Sequence, residues 1–203
     1  MRLRILSTSY LEQAHYYRGE YEHVVEFATD NLAALPADWV HEYFGMAVPA
    51  SIFGRAWLIM SLAELGRFAE AAKYEVEAIR PAEPTQHAHT VGWARLAASM
   101  LHLYKGDWAK ARLLVEHWLN TPGPLDVAVL LPWAVASSAW ALAEIGKTSE
   151  ALSRVREAEQ LLERQAARGS PAKLIDPSAQ CVESLDCVCN LVLHLRRELC
   201  VEP

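Results

Sequence analysis

Eight histidines and four cysteines are the residues of this 203-residue chain best suited to chemistry, and their spacing argues against it. Cys187-Val188-Cys189 is not C-x-x-C. Alternate residues of a helix point about 200° apart, so this pair cannot grip one metal ion from a regular helix. All the cysteines fall between Cys181 and Cys200, which reads as small buried thiols and not as a secreted disulfide framework. His41-Glu42 lacks the second histidine of H-E-x-x-H, His87 and His89 flank an expected helix start, and His117 follows Glu116. His15 and His102 each stand four residues before a glycine, which points to packing between helices. The carboxylate pairs Glu75/Glu77, Glu157/Glu159 and Glu20/Glu22 read as solvated outer helix faces carrying weak surface ion pairs. No G-x-S-x-G elbow, phosphate-binding G-x-x-x-x-G-K-[ST] loop or G-x-G-x-x-G turn is present. The expectation is a non-enzymatic chain with no catalytic residues, metal site or cofactor.

Composition narrows the partners. With 19 Lys+Arg against 25 Asp+Glu the net charge is −6, which disfavours nucleic acid and anionic membrane. The basic residues Arg154, Arg156, Arg164, Arg168 and Lys173 are cancelled by Glu150, Glu157, Glu159 and Glu163 interleaved with them. The chain is 52% apolar and 22% charged, a folded composition, and at this length it should bury roughly 70% of its unfolded surface. Its longest apolar stretch, Asp126 to Ile145, is broken by Pro132 and two serines. Met1 to Tyr10 shows no apolar signal core, so a cytoplasmic location is expected.

Positioning elements emerge from self-similarity. Gly19, Gly66, Gly106 and Gly146 sit in matching contexts, the last three at 40-residue intervals. Two residues on come Tyr21, Phe68 and Trp108, with Thr148 in the fourth case; five on come Val24, Ala71, Ala111 and Ala151. Helical-period stretches flank each glycine. The pattern predicts antiparallel helix pairs hinged at a glycine that tolerates positive φ, with a small residue one turn on letting the backbones approach. Asp107 and Thr148 are cap candidates for second helices, and Gly169 closes the last. Expected helices cover about 3–18, 20–35, 47–65, 68–80, 86–105, 107–120, 126–145, 148–168 and 177–200, with Pro132 kinking its helix or marking its start. Residues 38–45 should form a long loop or one helical turn. The predicted fold is all-α: a right-handed α-α superhelix, or solenoid, of about four helical hairpins over residues 1–169, followed by a linker and C-terminal helix over 170–203.

These residues resemble the tetratricopeptide repeat family, best in Leu58…Gly66-Arg67-Phe68…Ala71…Ala78, over about residues 5–168. The period of 40 rather than 34 and the missing aromatic at Thr148 depart from that family's pattern. Longer repeats of this kind are similar to the C-terminal regions of bacterial signalling proteins that carry an AAA-type ATPase and often a class III nucleotidyl cyclase. Lys105 to Ala111 and Leu130 to Trp140 carry that likeness. It implies an interaction or regulatory module in signalling, either detached from its catalytic part or a shortened paralogue. The first helix begins almost at once, without a capping unit, which points to an upstream portion.

In such stacks first helices line the concave face. The resemblance places there the residues three, six, ten and thirteen before each glycine. The first unit contributes Tyr16, Gln13, Ser9 and Leu6; the later ones contribute an apolar set. The candidate partner-binding groove is therefore Phe53, Met60, Trp93, Leu96, Met100, Trp133 and Trp140, suited to an apolar helix or extended peptide of a protein partner. The competing readings are that these aromatics are core between neighbouring units, or that the groove closes over an apolar small molecule.

Residues 176–201 break the repeat. Cys181, Leu185, Val188, Val192, Leu195 and Leu199 follow a 4,3,4,3,4 spacing, and Val182, Cys189, Leu193 and Cys200 widen the face. A helix this apolar needs a cover. It either caps the stack, folds into the groove, or self-associates through Leu185, Val188, Val192, Leu195 and Leu199 as a two-fold homodimer.

Overall fold

A computed structural model describes residues 1–120, 130–168 and 180–199. Every regular element among them is helical, and the fold is all-α. None of the described helices is long and apolar enough to cross a membrane. The chain divides into two units, Met1–Asp107 and Trp108–Pro203.

The first unit contains α1 (Arg2–Tyr17), α2 (Tyr21–Ala33), α3 (Ala50–Glu64), α4 (Phe68–Ala82) and α5 (Ala88–Lys105). The first helix of each pair touches the next first helix, α1 against α3 and α3 against α5. Each second helix lies on its own partner and on the following first helix: α2 on α1 and α3, α4 on α3 and α5. As a result α3 is enclosed on almost every side, with Ile52, Trp57, Leu58, Ile59 and Leu62 all fully buried. Residues 38–45 form a 3-10 turn (Ala37–Trp39) and an irregular stretch in which Phe44 and Gly45 take positive φ. α4 runs past the expected end at residue 80: Pro81 lies within its last turn, and a 3-10 turn (Glu83–Thr85) follows.

The four hinge glycines adopt the same cap. Gly19, Gly66, Gly106 and Gly146 have φ of 74°, 72°, 82° and 78°. Each glycine N–H bonds the carbonyl three residues back, and the next N–H bonds the carbonyl five back. Gly66 to Ala63 (3.0 Å) with Arg67 to Leu62 (2.8 Å) is one instance, and Gly146 to Ala143 (2.9 Å) with Lys147 to Leu142 (2.9 Å) another. This doubly bonded turn satisfies carbonyls that a helix end leaves orphaned. Val24, Ala71, Ala111 and Ala151, one turn beyond, are all fully buried, as close approach of two backbones requires. A methyl group added at Gly66 would meet nothing within 4 Å, so only the positive φ opposes it. Gly66→Ala is therefore expected to cost about 1–2 kcal/mol in denaturant unfolding, and Gly66→Asn less. A loss far above that would mean the turn is packed and not merely left-handed.

The second unit holds α6 (Trp108–Leu119), α7 (Leu131–Glu144), α8 (Thr148–Arg168) and α9 (Gln180–Leu199). Asp107 immediately precedes α6, whereas Thr148 is the first residue of α8. Pro132 occupies the second position of α7 and so marks its start, where its missing N–H would have been unsatisfied anyway. The expected start near residue 126, like Gly169, lies outside the described residues. α6 packs on α7 and α7 on α8, and α9 contacts both α7 and α8. That is the contact set of a next first helix, as α3 has with α1 and α2.

Candidate functional site

Six of the seven groove candidates are buried: Phe53, Met60, Trp93, Leu96, Met100 and Trp133. They do not form an open face in this structure, and a binding surface needs side chains that a partner can cover. In the first unit the reason is visible. Trp57, fully buried, has its ring centre 5.1 Å from Trp93, 5.7 Å from Phe53, 4.8 Å from Tyr16 and 5.6 Å from Tyr17. Phe53 stacks on Trp93 at 5.8 Å. Edge-to-face and offset contacts of this kind are core packing between α1, α3 and α5. In the second unit Trp140 is half-buried, 6.5 Å from the Trp108 ring, with its indole N–H donated to Glu144 at 3.2 Å.

Of the self-association positions, Leu185 and Val188 lie outside the described side chains, as do Cys181, Cys187 and Cys189, and Cys200 lies outside the described residues. Val192 and Leu195 are buried and Leu199 is half-buried. Within the chain α9 lies against α7 and α8.

Two buried polar groups depart from the sequence reading. Glu75, expected on a solvated face, is buried on α4, and His102 Nε2 lies 3.1 Å from both of its carboxylate oxygens. His102 Nδ1 stands 3.7 Å from Asp107 Oδ2, so a carboxylate flanks each ring nitrogen. His15, at the corresponding position before Gly19, bonds Glu20 at 2.5 Å. Both histidines tie a helix end to an acidic group. The described residues hold no group of three or more His, Cys, Asp or Glu side chains arranged to hold a metal.

Sequence reasoning missed Glu12 altogether. It is fully buried on α1, where the corresponding positions of later repeats are Ile59, Ser99 and Ala139. Asn31 of α2 donates to Glu12 Oε1 at 3.0 Å, to Ser9 Oγ at 3.2 Å and to the Ile5 carbonyl at 3.2 Å. Glu12 Oε2 has no partner, and a side chain at Gly54 of α3 would stand 3.3 Å from it. Burial pushes the Glu12 carboxyl from an ordinary 4.5 up to about 8, only partly offset by the Asn31 bond. The signal that could have found it was the comparison of register: an acid where its counterparts are Ile59, Ser99 and Ala139, none of them charged.

An exposed face remains on α1. Leu3, Ser7, Leu11 and Ala14 lie sixteen, twelve, eight and five residues before Gly19. Leu3 is 81% and Leu11 47% exposed. Their counterparts Ala50, Gly54, Leu58 and Ser61 on α3, and Thr90, Ala94, Ala98 and Leu101 on α5, are all buried. Gly54 shows what buries them: a side chain there would meet Leu32 of α2 and Glu12 of α1, the preceding hairpin. No family model, curated protein or solved structure matches this chain.

Proposed function

We propose that the chain is a non-catalytic helical-repeat module of tetratricopeptide type, its hairpins stacked as a right-handed superhelix, that recruits a protein partner in signalling. The partner contributes an amphipathic helix that lies on the Leu3/Ser7/Leu11/Ala14 face of α1, as α2 lies on α3 and α4 on α5. The observation that carries this reading is the register: the same four positions are buried by a preceding hairpin on α3 and solvent-exposed on α1. Two leucines with small residues between them fit a helix carrying small residues on its seam, of the kind α4 presents with Ala71, Ala78 and Ala82. The buried Phe53, Trp93 and Trp133 serve the stack itself.

A photo-crosslinking residue placed at Ser7 in cells, with one at exposed Val76 as control, tests the proposal. The expected product joins position 7 to a helical segment of one other protein. Leu3→Asp with Leu11→Asp should abolish that product while shifting the unfolding midpoint little, since both leucines are exposed. Each leucine contributes about 2 kcal/mol on burial, so the double variant should weaken the complex ~100-fold or more. Products equal at positions 7 and 76, a product joining two copies of this chain, or one joining position 7 to a segment upstream of Met1 in the native polypeptide, would overturn it.

A further inference from the structure

We infer that a recess between α1 and α2 binds a small zwitterion, a free α-amino acid or a compound that likewise carries a carboxylate and an ammonium group close together. The recess has a volume of about 340 Å³ and is lined by Arg4 and Thr8 of α1 and by Phe27, Asp30 and Asn31 of α2. That volume lies at the small end of ligand pockets. Among the described residues nothing bonds the Arg4 guanidinium, the Thr8 hydroxyl or the Asp30 carboxylate. Arg4 and Asp30 share the recess without forming an ion pair with each other. Neighbouring Arg2 is used differently, its guanidinium lying 5.1 Å over the Trp39 ring.

Asn31 supplies the fixed element. Its amide nitrogen is committed to Ile5, Ser9 and Glu12 in the interior, and no donor of the described residues reaches its carbonyl oxygen. An amide held through its nitrogen offers that acceptor in a set orientation. Phe27 adds an apolar wall, itself held 5.2 Å from the His15 ring.

The second unit provides the contrast. A cleft of about 370 Å³ there is lined by charged side chains of α6 and α8. Those charges are already paired: Arg112 bonds Glu116 at 2.8 Å, Arg154 bonds Glu157 at 2.8 Å, and Glu150 is bonded at 2.7 Å by Lys147, which lies outside the lining. Its charged groups are thus engaged, and Asn120 and Ser153 are the polar lining that remains. The first-unit recess holds one cation, one anion, a hydroxyl and a carbonyl, all unengaged. Arg4 matches a carboxylate through its planar fork, and Asp30 and the Asn31 carbonyl match an ammonium group. A ligand with only one charge leaves the other side of the recess unmatched, which is why a zwitterion is the class assigned.

Calorimetric titration of the full chain with each of the twenty L-amino acids tests this inference independently of helix docking. At least one should bind with Kd below about 1 mM. For that amino acid the N-acetyl derivative and the methyl ester should each bind about tenfold or more weakly, as should Arg4→Gln and Asp30→Asn to the parent compound. Both variants change exposed side chains, so their ligand-free unfolding midpoints should match the wild type. The inference is overturned if no amino acid gives a saturable signal at 10-fold that concentration. Equal binding of the N-acetyl derivative and the ester overturns it too, as does undiminished affinity in both variants.

Discussion

Trp57→Ala is expected to destabilise the first unit by about 3–5 kcal/mol, the range for removing a fully buried large aromatic. Four other rings contact Trp57, contributed by α1, α3 and α5, so the cavity left behind would be walled by residues of three helices that cannot all close on it. A domain of this size has roughly 5–15 kcal/mol in hand, and about 4–8 °C of midpoint is lost per kcal/mol. A fall of at least ~12 °C, or failure to accumulate folded, is the expected result. Trp57→Phe should lose much less. It keeps an aromatic ring and removes an indole N–H that is buried with no partner. Circular dichroism during thermal and denaturant unfolding checks both. A loss under ~1 kcal/mol for Trp57→Ala would mean that the cluster is not the core of the unit.

The second large effect concerns pH. Glu12 takes up a proton near pH 8 in the folded chain and near 4.5 when unfolded. Between those values the folded state binds one proton more, so stability falls as pH rises, by about 1.4 kcal/mol per pH unit. Across the whole window the burden amounts to roughly 4–5 kcal/mol. His89 works the other way: burial, with a smaller contribution from nearby His87, lowers it from 6.5 to about 4. From pH 4 to 6.5 the unfolded state binds the extra proton and stability rises with pH. The two slopes oppose each other between about 4.5 and 6.5, and only the Glu12 slope persists above. The wild type should therefore hold steady to about pH 6.5 and then lose ~2 kcal/mol by pH 8. Glu12→Gln keeps an acceptor for Asn31 but cannot ionise, so its stability should not fall over that range and should exceed the wild type at pH 8. Parallel curves for the two proteins would show that Glu12 is already charged near neutrality.

The hinge glycines were legible because their role is local. A left-handed residue favours glycine, and the bonds that close each turn span five residues. The small residues at Ala71, Ala111 and Ala151 were readable for the same reason, being fixed by spacing from the hinge. Helix periodicity also showed which face of each first helix is apolar. It could not show what covers that face, since Phe53 and Trp93 are forty residues apart and meet only once α3 and α5 are side by side. Glu75 was read as solvated because its surroundings on α4 are polar; His102, which buries it, is 27 residues away. Glu12 and Asn31 are 19 residues apart on different helices, and neither is unusual alone. Only their alignment against Ile59, Ser99 and Ala139, and against Ala78, Trp118 and Ala158, sets them apart.

The corners at Gly19, Gly66 and Gly146 face open space, with no atom near where a side chain would project. Extra residues spliced in at such a bend would hang outside the packed helices, closing on themselves at little entropic cost. The architecture thus comes with ready grafting points, spaced one repeat or two apart, at which it can be decorated while its interior stays as it is.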